Sequence, residues 1–484
     1  MIVFCTTCRG RADHVEKTLP QNLADNPNSK FVLLDYNSQD NLVPYLKANH
    51  ANDIASGRLV VYSFPDPTQF HVSHAKNMAA RLGILEGADI LVTQDADNFT
   101  GENFEGFVTE KMKESGIFLC PDHVGIRGIP WGTGERPNRG FAGRLAVRAQ
   151  DFIKAGGYNE TYDTWRGEDI DFNARMGRLG YTMRYIDNHY LQTIPHNAAI
   201  RFKEYPHARQ YEVEGAWKIT GNEYDTVVNY GQIGMGTVYR NFGNKPIKLS
   251  AIPTRIFGVG LHKTATTSLH KAFQVLGFDS LHWGRGEAPL IWDEMQSVGR
   301  SATLERYYAL CDLPIPLLYQ KLDKTYPGSK FILTIRDEKK WLKSVERLWD
   351  EDYNPTRGTW EIYPFTNRIH TELYGQKDFN APVFLKRYRK HNAEVLEYFK
   401  NRPNDLLVMD MEDGAGWKEL CPFLDVPVPS RPYPTVYVTK KLESINSGEP
   451  PPPPPPSGIC PIIIALAFVF ITVTIAAIAF AIWH

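Results

Sequence analysis

Cysteine is scarce and unpatterned. Cys5, Cys8, Cys120, Cys311, Cys421 and Cys460 are the six in 484 residues. Their spacing suggests neither a disulfide framework nor a zinc finger. The lone Cys5/Cys8 CxxC reads either as a metal or redox site or as two buried thiols. An excess of one charge is also missing, with 54 Lys and Arg against 55 Asp and Glu. That excludes a general nucleic-acid binder, whose surface needs a basic surplus. The start lacks a secretory apolar run: MIVFCTTCRGR is too short and leads into a strand pattern.

The other end is rich in apolar residues. Pro461 to Trp483 is broken only by Thr472 and Thr474 and is long enough to span a bilayer. It predicts one C-terminal transmembrane helix over 461–483, a tail anchor contacting the membrane. Lys440 and Lys441 upstream place the preceding domains on the cytosolic side. The endoplasmic reticulum and Golgi are the membranes that such a single-pass protein suggests. Two sequons, at Asn98 and Asn159, would be open to glycosylation in a lumenal protein. Pro450 to Pro456 form an extended, semi-rigid run within a Pro-rich linker over 431–460. It reads as a spacer or as a ligand for a proline-recognition partner.

Residues 1–245 read as α/β. Apolar runs at Ile2–Cys5, Lys30–Leu34, Leu59–Ser63 and Asp89–Thr93 alternate with helical patterns such as His74–Leu85. This predicts a mostly parallel sheet, with function at the carboxyl ends of its strands. Asp35 and the pair Asp95 and Asp97 fall there. Two aspartates one residue apart can face one hard cation that bridges a diphosphate; a plain surface loop is the alternative. Further on, Trp165-Arg166-Gly167-Glu168-Asp169 opens a helix. Its carboxylates either act as a base toward an acceptor hydroxyl or simply cap the helix.

Together these segments resemble the nucleotide-sugar glycosyltransferases of the GT-A fold, of the galactosyltransferase and chondroitin-synthase type. The resemblance implies nucleobase contact at Asp35. It implies Mn2+ or Mg2+ and the donor diphosphate at Asp95 and Asp97. His196 would complete the metal shell, with His189 as runner-up. Trp165, Glu168 and Asp169 would face the acceptor and carry the base, although Arg166 intrudes where the family commonly has glycine. Lys76 and Arg9 would approach the nucleotide-sugar donor. Trp131, ahead of the Gly140–Arg144 loop, reads equally as a sugar-stacking residue or a buried anchor. The acceptor would be a glycan, glycolipid or small carbohydrate.

Asn241 to Pro253 reads as a linker. The second domain, residues 251–430, opens with RIFGVGLHKTATTSLHKAF. The pattern is strand, tight loop, helix, with Gly260, His262, Lys263, Thr264, Thr266, Thr267 and Ser268 on the loop and first turn. Glycine permits close backbone approach, free amides at a helix start attract anions, and lysine adds a charge. A P-loop kinase would have glycine where His262 and Phe257 stand. The stretch resembles instead the P-loop sulfotransferases, a three-layer α/β fold. The resemblance implies 3'-phosphoadenosine 5'-phosphosulfate as donor, with Lys263 at the leaving bridging oxygen. Arg336, after the strand KFILTI, and Ser344 would hold the 3'-phosphate. His282 and Asp312 are alternative catalytic groups, and Trp341 would lie toward the adenine. The chain thus reads as a bifunctional transferase of sugar and sulfuryl groups. The other readings are one active domain beside a binding module, and a kinase in the second half.

Overall fold

The structure is a computed structural model. It describes residues 1–121, 143–162, 167–194, 226–284, 286–350, 364–410, 412–426, 428–429 and 431–435. Residues Met1–Val436 form one compact unit, and Tyr437–His484 a second whose residues lie outside the described ones.

Sixteen strands are described. In chain order they are β1 Ile2–Cys8, β2 Lys30–Asp35, β3 Leu59–Ser63, β4 Ile90–Asp95, β5 Asn98–Phe99 and β6 Ile117–Cys120. There follow β7 Leu145–Arg148, β8 Thr182–Tyr185, β9 Gln192–Thr193, β10 Gly236–Arg240 and β11 Pro246–Leu249. The last are β12 Ile256–Gly258, β13 Ser280–His282, β14 Ala309–Cys311, β15 Lys330–Ile335 and β16 Leu406–Asp410.

The first sheet has nine strands in the order β11-β10-β3-β2-β1-β4-β7-β6-β8. Its centre is parallel, because near-continuous apolar strands can be covered by helices on both faces. The register pairs Cys8 with Asp35 and Thr7 with Asp95. Asp35 and Asp95 therefore end strands on either side of β1, at the same edge. Cys5 and Cys8 are both buried and stand on opposite sides of β1 in separate core clusters, as strand alternation requires. Burial pushes both thiols up, so the pair fits the buried-thiol reading.

The second sheet is all parallel, in the order β13-β14-β12-β15-β16. Its central strand, β12, feeds the Lys263 loop and the helix Thr266–Val275. The carboxyl ends of β13 and β14 lie beside it, since His282 pairs with Cys311 and Gly258 pairs with Cys311.

Several sequence expectations change. The stretch expected as a linker, Asn241–Pro253, contributes β11, which pairs antiparallel with β10 at the edge of the first sheet. Both sequons are closed. Asn98 is fully buried in β5, and Asn159 is buried with its side-chain oxygen accepting from the backbone and hydroxyl of Thr161. The transmembrane helix and the single-pass, tail-anchored location are also corrected. Among the described residues, no helix is long and apolar enough to cross a membrane. Segment 461–483, on which that expectation rested, lies outside the described residues, as do the proline run and the 431–460 linker beyond residue 435.

Candidate active sites

At the first site, the parallel register brings the end of β4 beside the helix Val72–Leu85, which carries Lys76. Lys76 is 5% exposed, and its Nζ donates to Glu168 Oε1 at 3.0 Å and Asp169 Oδ1 at 2.9 Å. Glu168 and Asp169 open the helix Glu168–Arg178, whose preceding Gly167 takes φ +103°. A Cβ on Gly143 would stand 2.9 Å from Asp95 Oδ2 and 3.0 Å from Lys76 Nζ. Glycine there lets the loop close over the carboxylate and the ammonium together.

Burial pushes the Asp95 and Asp169 carboxyls up, against the pull of Lys76. Burial opposes charge on Lys76 as well, but Asp169, Glu168 and Asp95 hold its pKa well above the ordinary lysine value. Arg144 is 1% exposed, donates to the carbonyls of Phe99 and Tyr190, and feels both Asp95 and Asp97. Burial lowers its guanidinium to about 10. Asp97 is buried, and its Oδ1 accepts from Asn98 Nδ2 at 2.7 Å. Four carboxylates thus face two cationic side chains. Asp95 and Asp97 are the oxygen donors that Mn2+ or Mg2+ would meet. Among the described residues, no three His, Cys, Asp or Glu side chains enclose a metal position. His196, Trp131 and Trp165 lie outside the described residues. His189 is described, in the short turn Asn188–Tyr190, with its ring against that of Tyr190.

Asp35 and Arg9 meet the same loops. Asp35 accepts the backbone N–H of Ser38 at 2.8 Å, and its burial raises its pKa. Arg9 donates to the carbonyls of Tyr36, Asn37, Pro67 and Thr68. Arg9 ties the loops after β2 and β3 together. That role was not legible in the sequence, because its acceptors are main-chain atoms up to 59 positions away.

At the second site, four non-glycine residues take left-handed backbone conformations. They are Lys263 (φ +67°), Ala265 (φ +68°), Trp283 (φ +43°) and Asp312 (φ +70°). Each such residue costs on the order of 1–3 kcal/mol, and strain of this kind gathers at functional sites. Gly260 is obligatory, since a Cβ there would meet Thr334 Oγ1 at 2.0 Å and the Thr334 carbonyl at 2.4 Å. Thr264 Oγ1 donates to the Leu261 carbonyl at 2.6 Å and lies 2.7 Å from Thr334 Oγ1, which locks the loop onto β15.

His282 and Asp312, alternatives in the sequence, come together. His282 Nε2 is 3.2 Å from Asp312 Oδ2, 3.1 Å from Thr266 Oγ1 and 3.3 Å from Thr267 Oγ1. Burial lowers the Lys263 pKa, with Asp312 opposing and Arg336 adding to the fall. Arg336 has its N–H and carbonyl both bound to Tyr388 Oη, at 2.9 and 2.8 Å. Its Nη1 donates to the Lys263 carbonyl at 3.3 Å, so the guanidinium sits at the loop's rim. Ser344 is half-buried on the helix Glu338–Trp349 that follows, and Ser268 is buried in the helix after the loop.

Two residues here are packing groups. His262 is buried, and its Nε2 lies 3.0 Å from Tyr374 Oη. Burial holds its imidazole well below the ordinary range. Trp341, read from sequence as facing adenine, is fully buried, stacks on Tyr388 at 4.2 Å and donates to the His262 carbonyl at 3.0 Å. Glu412 was missed entirely. It accepts from Arg336 and pairs with Lys340, 76 and 72 positions away, so no local pattern could mark it.

Comparison with known proteins divides the chain in the same sense. Residues 255–442 match the family described as the sulfotransferase domain. Residues 130–197 match the one described as the N-terminal domain of galactosyltransferase. The chain therefore carries glycosyltransferase-like and sulfotransferase segments and is a transferase; the kinase reading falls away. "Ava biosynthesis cluster protein M" of Aspergillus versicolor is 25% identical over 217 residues, 38% of this chain and 80% of that protein. Among solved structures, the mannosyltransferase PcManGT from Pyrobaculum calidifontis, in complex with GDP-Man and Mn2+, aligns at TM-score 0.32 and 13% identity. That alignment covers 44% of this chain and 63% of the other. GalNAc-T7 with UDP, GalNAc and Mn2+ aligns at 0.31 and 13%, covering 38% and 42%. The chain spans less than two thirds of either structure's length. Likenesses of this size leave the fold to rest on the strand order itself.

Proposed function

We propose that the chain is a bifunctional transferase, moving a sugar from a nucleotide donor at the Asp95–Asp169 site and a sulfuryl group at the Lys263 loop. The observation that carries the reading is the meeting of His282, Asp312, Thr266 and Thr267 beside the strained Lys263 loop. The sulfuryl donor is 3'-phosphoadenosine 5'-phosphosulfate. The acceptor hydroxyl oxygen attacks sulfur, and the bond from sulfur to the bridging phosphate oxygen breaks. The proton passes to the His282–Asp312 pair, whose Nε2 and Oδ2 lie 3.2 Å apart. Lys263 and the loop amides take up the charge growing on the leaving phosphate.

At the first site the acceptor is a carbohydrate hydroxyl and Asp169 its base, with Lys76 holding the Glu168/Asp169 pair in place. A divalent cation at Asp95 and Asp97 would neutralise the donor diphosphate. Arg144 braces the turn that carries these two carboxylates, and Asp35 and Arg9 shape the loops beside the nucleobase.

The test is a donor panel on the full chain, with labelled phosphosulfate and with nucleotide sugars plus Mn2+. Lys263→Ala is expected to cut sulfuryl transfer by about a hundredfold or more and leave sugar transfer intact. Asp97→Ala is expected to do the reverse. Failure of the wild-type chain to transfer from any nucleotide sugar would sink the first assignment. Unchanged phosphosulfate binding in Lys263→Ala would sink the second.

A further inference from the structure

We propose that Glu412 is an exchangeable carboxylate occupying the seat of the nucleotide's 3'-phosphate, so that the ligand enters by displacing it. The inference rests on the sulfuryl-donor reading of the Lys263 loop. Glu412 Oε1 accepts from Arg336 Nε at 2.8 Å and lies 2.7 Å from Arg336 Nη2. Its Oε2 is 3.0 Å from Lys340 Nζ. One carboxylate thus bridges two cations, Oε1 taking both Arg336 nitrogens and Oε2 turning to Lys340, and a phosphate could meet the same two cations.

The exchange is physically easy. Arg336 does not need Glu412 to stay in place, because Tyr388 holds its backbone at both N–H and carbonyl, and Nη1 rests on the Lys263 carbonyl. The side chains of Arg336 and Glu412 are 28% and 30% exposed, so water and ligand reach the pair. Ion pairs this exposed contribute little net stability. A phosphate monoester carries roughly 1.5 to 2 negative charges at neutral pH against one on the carboxylate. It therefore outbids Glu412 for Arg336 and Lys340, whereas a nucleotide lacking the 3'-phosphate leaves the pair closed.

Glu412 lowers affinity for the donor and for the desulfated product alike. Its return onto Arg336 as the 3'-phosphate departs would assist product release.

Titration calorimetry of the full chain with adenosine 3',5'-bisphosphate tests this, with adenosine 5'-phosphate as control. Glu412→Gln is expected to bind the bisphosphate about tenfold more tightly and the monophosphate within about twofold of wild type. In an Arg336→Met background the same substitution is expected to give no gain. Equal or weaker bisphosphate binding in Glu412→Gln overturns the exchange. So does a gain that persists without Arg336, or one shared by the monophosphate. Should Glu412→Gln fail to fold, Glu412→Asp, with a shorter reach, is expected to gain about threefold. Absence of bisphosphate binding in wild type and variants alike sinks the sulfuryl-donor reading, and the exchange with it.

Discussion

A proton arriving at His282 Nε2 finds a carboxylate oxygen 3.2 Å away. Asp312 therefore shares that proton with the imidazole, and the two act as one base. His282→Gln is expected to lower kcat for sulfuryl transfer by about a hundredfold or more. Asp312→Asn should lower it about tenfold or more, since the imidazolium loses its counter-charge. Binding of adenosine 3',5'-bisphosphate, measured by calorimetry, should change less than about twofold in both. A large loss of binding in either variant would mean a structural role in the loop instead. Individual side chains were legible in the sequence where chemistry needed a rare residue after an apolar strand, as with Lys263 and Asp95. The partners were not. Nothing local announces that Lys76 meets Glu168 and Asp169, 92 and 93 positions on, or that Glu412 meets Arg336. Those contacts exist only once parallel strands have folded side by side.

Elements are held by similar distant contacts. Glu86 caps the carboxyl end of the helix Val72–Leu85 and gathers Lys30 from β2, Tyr62 from β3 and Arg240 from β10. Burial alone would raise its pKa. Hydrogen bonds from Arg240, Tyr62 and Lys30 overcome this and bring it down to about 2. A carboxyl depressed in the folded state stabilises above its unfolded value, and that stability disappears as pH falls through the folded one. The window runs from 4.5 down to about 2. Denaturant midpoints of the wild type should fall across this range. Glu86→Gln should remove that part of the slope and cost about 1–2 kcal/mol at neutral pH. Parallel slopes in the two proteins would refute the role. The parallel strands were readable from apolar runs, with β3 matching at both ends. The antiparallel edge strands β10 and β11 were not. Most of their residues are partly or fully exposed, and only the pairing of β10 with β3 and of β11 with β10 makes them strands.

Within Met1–Val436, a buried lysine joins the two sheets. Lys154, 4% exposed, follows β7 of the first sheet, and its Nζ donates to Asp279 Oδ2 and to the Arg306 carbonyl, both at 2.8 Å. Asp279 stands just ahead of β13. Lys154→Met should cost about 2–3 kcal/mol and split a single calorimetric unfolding transition into two. One unsplit transition at an unchanged temperature would show that the sheets are joined by other means. From sequence the two halves read as separate bodies on a tether. Contacts of this kind between them leave no periodic trace. The apolar C-terminal run was the loudest signal in the chain, yet among the described residues no helix can cross a membrane.

The five described cysteines carry a consequence for handling the molecule. All are buried, and desolvation raises the pKa of four of them, Cys5, Cys8, Cys311 and Cys421. In the folded protein these thiols are shielded from electrophiles, and they become reactive only as the core opens. A thiol-directed probe thus serves as a clock for opening of these two sheets. A cysteine engineered at an exposed position such as Val298, 77% exposed, would take a label without competition from them.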